Sequence, residues 1–246
     1  MSLPVHLVPA LDGVAVGDVV VVEGDEAHHA VAVRRLRAGE QVVLTDGAGV
    51  SVVGEVAATG KRRLEVEVSS VRHEPAPTPP VTVVQALPKG DRGELAVEVL
   101  TEIGVARVVP WAAARSVAVW KGERAQKSLA RWRATAREAA KQARRSHHPE
   151  VLPLATTDEV VGLVCGAALA VVLHEEAAAP LADLAVPATG EVVVVVGPEG
   201  GLTDEEVAAF ATAGATAVRL GAEVLRTSTA GVAAVAALLS RTPRWG

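Results

Sequence analysis

The pattern of apolar and polar residues differs between two parts of the chain. Up to residue 72, the apolar residues form short valine-rich runs that are separated by glycine and aspartate turns. This pattern is typical of short β-strands. The predicted elements are strands at 19–22, 41–45, 50–57 and 64–71 and one short helix at 26–36. Residues 1–72 are therefore predicted to form a compact β-barrel.

From residue 81 onward, apolar runs alternate with longer stretches of helical periodicity. Strands are predicted at 81–86, 107–110, 168–173, 191–196 and 217–220, and helices at 92–103, 123–146, 203–212 and 228–240. Strands that alternate with helices form a parallel sheet with helices on both faces. Residues 81–246 are therefore predicted to form an α/β domain.

A proline-rich segment, HEPAPTPP at 73–80, lies between these two parts and has four prolines in eight residues. Proline lacks a backbone N–H group and restricts φ, so this segment is neither a helix nor a central strand. We expect it to be a stiff linker between a domain of residues 1–72 and a domain of residues 81–246.

The composition is that of a folded protein, because half of the 246 residues are apolar and 22% are charged. No apolar run is long enough to cross a bilayer, and the first residues lack the pattern of a signal peptide. The single cysteine, Cys165, excludes a disulfide framework and is more typical of a small buried side chain than of a nucleophile. We therefore expect a cytoplasmic protein.

The net charge is −5, which by itself argues against nucleic acid binding, but the charge is unevenly distributed. Residues 121–145 hold nine basic and two acidic residues, a local charge of about +7. Four of them recur every fourth residue and form one stripe on the predicted helix: Arg133, Arg137, Lys141 and Arg145. RNA phosphates suit such a stripe, and an ordinary solvated helix face is the alternative.

Smaller basic clusters occur at 34–37 and 61–63. The paired histidines at 28–29 and 147–148 lack metal-ligand spacing, so no metal site is predicted. Tyrosine is absent and there is one phenylalanine, which argues against a surface that stacks single-stranded bases on aromatic rings.

Two glycine-containing loops near the C-terminus are the strongest candidates for a ligand site. Residues 192–201, VVVVVGPEGG, predict a strand buried on both faces that leads into a bare-backbone loop. Thr203 and Glu206 then form a capping-box pattern that begins a helix. A second turn and helix follow at 220–231, LGAEVLRTSTAG, which suggests one shared pocket for a small ligand. The spacing fits neither GxGxxG nor a P-loop, and a tight turn without a ligand is the alternative.

Taken in order, several segments resemble one known family over nearly the whole chain. They are HHAVAVRRLRAGE at 28–40, ALPKGDRGELAVEVLTEIGVARVVPW at 86–111, ARSVAVW at 114–120, RWRATAREAAKQARRSHHPEV at 131–151, VVVVVGPEGGLTDEEV at 192–207 and LGAEVLRTSTA at 220–230. The family is the RsmE-type uridine-N3 methyltransferases of small-subunit (16S) ribosomal RNA, in the SPOUT superfamily. The chain departs from the family pattern in its first residues, at Glu223 and at Ser228.

The resemblance implies an N-terminal PUA-like β-barrel that binds RNA and a C-terminal α/β SPOUT domain with a parallel sheet and a deep trefoil knot. It also implies S-adenosylmethionine as methyl donor, a homodimer, and rRNA in an assembled or nearly assembled small subunit as substrate. The implied cofactor-binding residues are Leu173, His174, Glu175, Gly197, Pro198, Glu199, Gly200, Gly201, Leu220, Gly221, Val224, Leu225, Arg226 and Thr227. The expected RNA-binding residues are Arg34, Arg35, Arg37, Lys89, Arg92, Arg115, Arg133, Arg137, Lys141, Arg144 and Arg145.

Two residues are the catalytic candidates. Arg226 would stabilise developing negative charge or bind a phosphate, and a salt bridge that holds its loop is the alternative. Glu199 would order the cofactor loop or accept a proton, and ordering is favoured. Two other functions compete: a related knotted methyltransferase of tRNA or of a ribose 2′-OH, and a non-catalytic RNA-binding factor of ribosome assembly.

Overall fold

The computed structural model describes residues 3–245 of the chain. These residues form two units. The first comprises the residues up to Ala76 together with Lys141–His148, and the second comprises Pro77–Ala140 and the residues from Pro149 onward. Among the described residues, no helix is both long and apolar enough to cross a membrane.

The first unit is built on one five-stranded sheet. Its strands are β1 (Val5–Leu7), β2 (Val19–Glu23), β3 (Gln41–Thr45), β4 (Val50–Gly60) and β5 (Arg63–His73), and helix α1 (Gly24–His28) runs directly into a π-helical turn (His29–Val33). The strand order is β1-β3-β4-β5-β2, and every neighbouring pair is antiparallel except β1 and β3. A Cβ at Gly54 would lie 2.5 Å from the Glu67 carbonyl oxygen, so this bulged position in β4 requires glycine.

The four strands predicted in this part of the chain are present. The predicted helix at 26–36 is wrong in form, because regular α-helix ends at His28 and the π-helical turn ends at Val33. Arg35 then adopts a left-handed conformation with φ of 59°, and the Leu36 N–H donates to the Ala30 carbonyl, which closes the turn. The three-residue strand β1 was not predicted, because it is too short to show a clear alternation.

The second unit contains a seven-stranded sheet whose neighbouring strands are all parallel. Its strands are β6 (Val81–Ala86), β7 (Arg107–Trp111), β8 (Glu150–Val151), β9 (Leu169–Leu173), β10 (Ala179–Pro180), β11 (Val192–Val196) and β12 (Thr216–Arg219). The helices are α2 (Arg92–Glu102), α3 (Gly122–Gln142), α4 (Thr157–Cys165), α5 (Asp204–Thr212) and α6 (Thr227–Leu239). The order β10-β12-β9-β11-β6-β7-β8 confirms the predicted α/β fold with a parallel sheet.

The five valines of β11 are all buried, as their uninterrupted run predicted. Val192, Val194 and Val196 pack into the apolar core that contains residues of α2 and α6. Val193 and Val195 pack on the other face of the sheet, in the core that contains Phe210 of α5 and residues of α4. Because successive side chains of a strand point to opposite faces, a central strand covered on both faces is apolar at every position.

Helix α3 buries Trp132 and Ala136 in the core of the second unit. The helix ends at Gln142 rather than at residue 146, and Arg144 has a φ of 54°. Helix α4 was not predicted, although Thr156 and Glu159 form a capping box like the one that was recognised before α5. The two-residue strands β8 and β10 are too short to leave a pattern in the sequence.

Candidate functional site

Four neighbouring strands of the parallel sheet end at the same edge. β11 pairs Val196 with Leu173 of β9 and with Gln85 of β6, and β9 also pairs with β12. The His174 N–H, just after β9, donates to the Val218 carbonyl of β12 at 2.9 Å. Because the strands are parallel, the loops that follow them lie along one edge, where open α/β sheets bind ligands. The structure therefore brings together the three loops predicted to hold a cofactor.

The loop Gly197–Gly201 is shaped mainly by the protein's own packing. A Cβ at Gly200 would lie 3.1 Å from the Arg115 Cβ, and one at Gly197 would lie 3.1 Å from the Leu202 Cγ. Gly201 has a φ of +72°, which strains any residue with a side chain. The close approach of a ligand was the predicted reason for these glycines, and the packing of the loop itself is a second reason.

Arg115, a predicted RNA contact, is exposed and lies against this loop. Its Nη1 donates to the Leu202 carbonyl at 3.0 Å and to the Gly200 carbonyl at 3.4 Å. Nearby, the buried carboxylate of Glu206 accepts from the N–H groups of Thr203 and Ala114 at 2.9 and 2.8 Å. The segment around Arg115 is therefore held to the loop and to the start of α5.

Glu199 connects the same loop to the segment that precedes α2. Its Oε1 accepts from the Lys89 N–H at 3.1 Å and lies 3.5 Å from Nη1 of Arg92. Since these contacts use the carboxylate to join two loops, the geometry favours the ordering role for Glu199 over proton acceptance. Lys89 and Arg92, both predicted RNA contacts, lie at this edge of the sheet.

A buried hydrogen-bond chain connects the two glycine-containing loops. Thr227, at the start of α6, donates from Oγ1 to the Gly197 carbonyl at 2.7 Å. Gln85 in β6 is fully buried and donates from Nε2 to the same Oγ1 at 3.1 Å. Gln85 was not among the site residues predicted from the sequence. The available signal was one amide near the end of the apolar segment VTVVQA.

Arg226 lies at the N-cap of α6, and its side chain is exposed. Within residues 3–245 its guanidinium has no hydrogen-bond or ion-pair partner, so the salt bridge considered above is not formed. Val224 and Leu225, just before it, are 74% and 40% exposed. Among residues 3–245, the one atom within 4 Å of the position that a Cβ at Gly221 would occupy is Oε2 of Glu223, at 3.5 Å. The loop thus presents bare backbone, apolar side chains and an unpaired cation together.

Comparison with known proteins identifies the family to which these features belong. Residues 74–239 match the RNA methyltransferase domain, and residues 22–69 match the RNA methyltransferase PUA domain. The chain belongs to this family of RNA methyltransferases. The family match also confirms the expected PUA-like N-terminal domain.

Individual relatives are similar to this chain in sequence or structure over most of their length. The Ribosomal RNA small subunit methyltransferase E of Mycobacterium bovis is 48% identical over 234 residues, which is 93% of this chain and 89% of the relative. The crystal structure of that enzyme from Neisseria gonorrhoeae, bound to S-adenosyl methionine, superposes with a TM-score of 0.86 at 29% identity, covering 97% of this chain and 98% of the other. A Legionella pneumophila protein solved in complex with the cofactor SAM has a TM-score of 0.89 at 25% identity, with coverages of 98% and 99%.

In this RNA methyltransferase, Lys141 does not belong to an exposed basic stripe. Its side chain is 4% exposed, and Nζ donates to Oε1 and Oε2 of Glu26 at 3.0 and 3.2 Å. Nδ1 of the buried His6 lies 3.0 Å from the same Oε1. The prediction that Lys141 presents its charge to RNA is wrong, because the ammonium is buried against a carboxylate of its own chain.

The pKa of Glu26 records this environment. Burial alone would raise the pKa, but hydrogen bonds from His6 and Lys141 and the positive charge of Lys141 outweigh it and lower the pKa from 4.5 to about 2. Within the described part of the chain, ligand atoms of His6, Glu26 and His29 lie within 4.8 Å of one another. Lys141 already supplies positive charge to the carboxylate of this group.

The rest of the predicted stripe is also interrupted. Nε of Arg133 donates to the Val151 carbonyl at 3.1 Å, and Arg137 lies 3.9 Å from the adjacent Glu138. Arg145 follows the end of α3 and is outside the helix on which the stripe was predicted. The other candidates for RNA contact in the first unit have exposed side chains: Arg34, Arg35, Arg37 and Arg144.

Proposed function

We propose that this protein is an S-adenosylmethionine-dependent methyltransferase that methylates N3 of a uridine in small-subunit (16S) ribosomal RNA. The observation that carries the proposal is the meeting of the 197–201 and 220–227 loops at one sheet edge, held by the hydrogen bond from Thr227 to the Gly197 carbonyl. The named function and the bound cofactor of the relatives support the same reaction. Uridine as the target base and N3 as the target atom are part of the proposal.

The residues at this edge fit a nucleoside cofactor. The exposed backbone around Gly221 leaves room for a ligand, and the exposed side chains of Val224 and Leu225 offer an apolar surface to an adenine ring. Residues 173–175, 197–201, 220–221 and 224–227 would hold the cofactor, Arg226 through its backbone. When bound, the cofactor supplies a methyl group that is activated by its sulfonium.

The protein's own task is to orient the base and to stabilise its anion. The N3–H of uracil is weakly acidic and largely protonated at neutral pH, so methylation at N3 requires loss of that proton. The unpaired guanidinium of Arg226 is the group that would stabilise the negative charge that develops on the base. Glu199 would hold the cofactor loop against Lys89 and Arg92, as its contacts in the structure favour.

RNA binding would use the exposed basic residues of both units. In the first unit these are Arg34, Arg35, Arg37 and Arg144, and in the second Lys89, Arg92 and Arg137 lie outside the buried core. Cationic side chains of this kind bind the phosphate backbone and position the substrate. The substrate would be rRNA of an assembled or nearly assembled small subunit, which places the reaction in the cytoplasm.

The same proposal includes a homodimer and the deep trefoil knot formed by the loops after β9, β11 and β12. Exposed apolar residues of the second unit support a partner copy, since Val117 and Val119 are 61% and 57% exposed. A second copy would remove this apolar surface from water.

A methyl-transfer assay tests the reaction. Free small-subunit rRNA and intact small subunits are incubated with the protein and labelled cofactor, and the modified nucleoside is identified by mass spectrometry. We expect N3-methyluridine, with more product from intact subunits. A 2′-O-methyl product or methylation of tRNA alone would favour the related knotted enzymes. RNA binding without cofactor binding would favour the assembly factor.

A further inference from the structure

Gln85 is a fully buried amide in a strand that is otherwise suited to apolar packing. It lies in β6, between β11 and β7, and every residue of this strand is buried. The only other residue of β6 with a polar side chain is Thr82, at the opposite end of the strand. Packing of the sheet alone therefore does not explain why an amide stands at position 85.

The hydrogen bonds of Gln85 determine how its amide is oriented. The Thr227 hydroxyl has one hydrogen and donates it to the Gly197 carbonyl, which can only accept. Thr227 Oγ1 must then accept from Gln85, so the Nε2 group faces it and also donates to the Ala86 carbonyl at 3.2 Å. Gln85 thus donates to Thr227, and Thr227 donates to the Gly197 carbonyl.

This orientation leaves Oε1 of Gln85 buried and without a hydrogen-bond partner among the described residues. A buried acceptor that has lost water and gained no donor destabilises the fold. Methionine has a similar volume and no such atom, so it would serve the packing of the sheet better. We therefore look for the role of Gln85 in the residues to which it is hydrogen-bonded and not in the stability of the fold.

Through Thr227, the Gln85 amide is connected to both loops of the candidate site. Thr227 is the first residue of α6 and directly follows Arg226, while Gly197 is the first residue of the other loop. We propose that Gln85 is a positioning residue that holds the 197–201 and 220–227 loops in the arrangement that receives S-adenosylmethionine. This inference rests on the cofactor site of the proposed function.

Two pairs of variants test the inference, with calorimetric affinity for S-adenosylmethionine and the melting temperature of the cofactor-free protein as readouts. Gln85→Met should melt at or above the wild-type temperature and bind the cofactor about tenfold more weakly, as expected for the loss of the one hydrogen bond that reaches Thr227. Thr227→Val, which keeps the side-chain shape without the hydroxyl, should show a similar loss of affinity. Thr227→Ser, which keeps the hydroxyl, should bind nearly as well as the wild type.

Thr82→Val is the matched control in the same strand. The Thr82 hydroxyl donates to the Glu191 carboxylate and accepts from Nε of Arg107, away from the loops. We expect this variant to lower the melting temperature and to leave cofactor affinity unchanged.

The outcomes separate the inference from the function on which it rests. Wild-type affinity in Gln85→Met, or equal affinities in Thr227→Val and Thr227→Ser, would overturn the positioning role while the proposed cofactor site stands. If the wild-type protein itself binds no S-adenosylmethionine, the cofactor site and the positioning role both fail.

Discussion

Lys141 and Glu26 form a buried ion pair in which one ammonium donates to both carboxylate oxygens, at 3.0 and 3.2 Å. The two residues are 115 positions apart in the chain. The pair ties the segment Lys141–His148 to the first unit, to which that segment belongs. The positive charge of Lys141 therefore stabilises the first unit and is not available to bind a ligand.

Replacing Glu26 with glutamine should destabilise the first unit by about 2 kcal/mol at neutral pH, a value reduced for partial exposure. Because the pKa of Glu26 is lowered from 4.5 to about 2 in the folded state, its contribution is present above pH 4.5 and is lost as the pH falls towards 2. The difference between wild type and variant should shrink over that range. Hydrogen-exchange mass spectrometry of peptides from β3 and β4 measures it.

Glu55→Gln is the control for this experiment, because Glu55 is an exposed residue of β4 in the same unit. It should leave exchange in β3 and β4 nearly unchanged across the pH range. An equal effect of the two variants, or a difference that grows as the pH falls, would contradict the stabilising role of the Glu26 carboxylate.

Arg226→Ala should lower the rate of methyl transfer at saturating cofactor by about 100-fold or more, since a cation that stabilises charge in the transition state is removed. Cofactor affinity should change by less than about threefold, because the guanidinium has no partner in the loop that it would leave unpaired. Single-turnover rates and calorimetry measure the two quantities. Arg226→Lys, which keeps the charge, should fall between wild type and alanine. A loss of affinity equal to the loss of rate would instead assign Arg226 to cofactor binding.

Glu199→Gln separates loop ordering from proton transfer. The amide can still accept the hydrogen bond from the Lys89 N–H but loses the charge interaction with Arg92. We expect a few-fold weaker cofactor affinity and an unchanged pH dependence of the methylation rate. A rate lowered by orders of magnitude with a lost acidic limb in the pH profile would show that the carboxylate accepts a proton.

Arg35→Gly and Arg144→Gly should weaken RNA binding without destabilising the fold. Both arginines have positive φ, at 59° and 54°, where glycine is more favourable than a residue with a side chain. If each binds a phosphate, its removal lowers affinity and reduces the slope of log K against log salt by about one. Arg72→Gln, an exposed arginine on β5 outside the predicted set, is the control. An unchanged slope in both glycine variants would exclude these contacts.

Alanine substitutions distinguish a glycine required by the packing of its loop from one that leaves room for a ligand. At Gly200 a Cβ would lie 3.1 Å from the Arg115 Cβ and 3.2 Å from its carbonyl oxygen, so Gly200→Ala should lower the melting temperature. In the described part of the chain, only the flexible carboxylate of Glu223 lies near a Cβ at Gly221, so Gly221→Ala should leave the cofactor-free protein as stable as the wild type. Reduced affinity for S-adenosylmethionine in Gly221→Ala would place the ligand beside that residue, and unchanged affinity would exclude it.

Most regular elements were predicted because their signals are local. The five valines of β11 identify a central strand, and the capping box of Thr203 and Glu206 marks the start of α5. The same signature at Thr156 and Glu159 could have identified α4. The helix predicted at 26–36 failed because apolar periodicity does not separate an α-helix from a short helix that continues as a π-helical turn.

The alternation of strands and helices, the glycine loops after β11 and β12, and the resemblance to the family could all be predicted from the chain alone, because each depends on neighbouring residues. Which side chains are available for function depends instead on contacts between distant parts of the chain. Lys141 has the helical spacing of an RNA-binding residue, yet Glu26 removes it from the surface. Gln85 looked like part of an apolar strand, yet it reaches Thr227, 142 positions away. Such partners are set by long-range packing, and no local pattern encodes them.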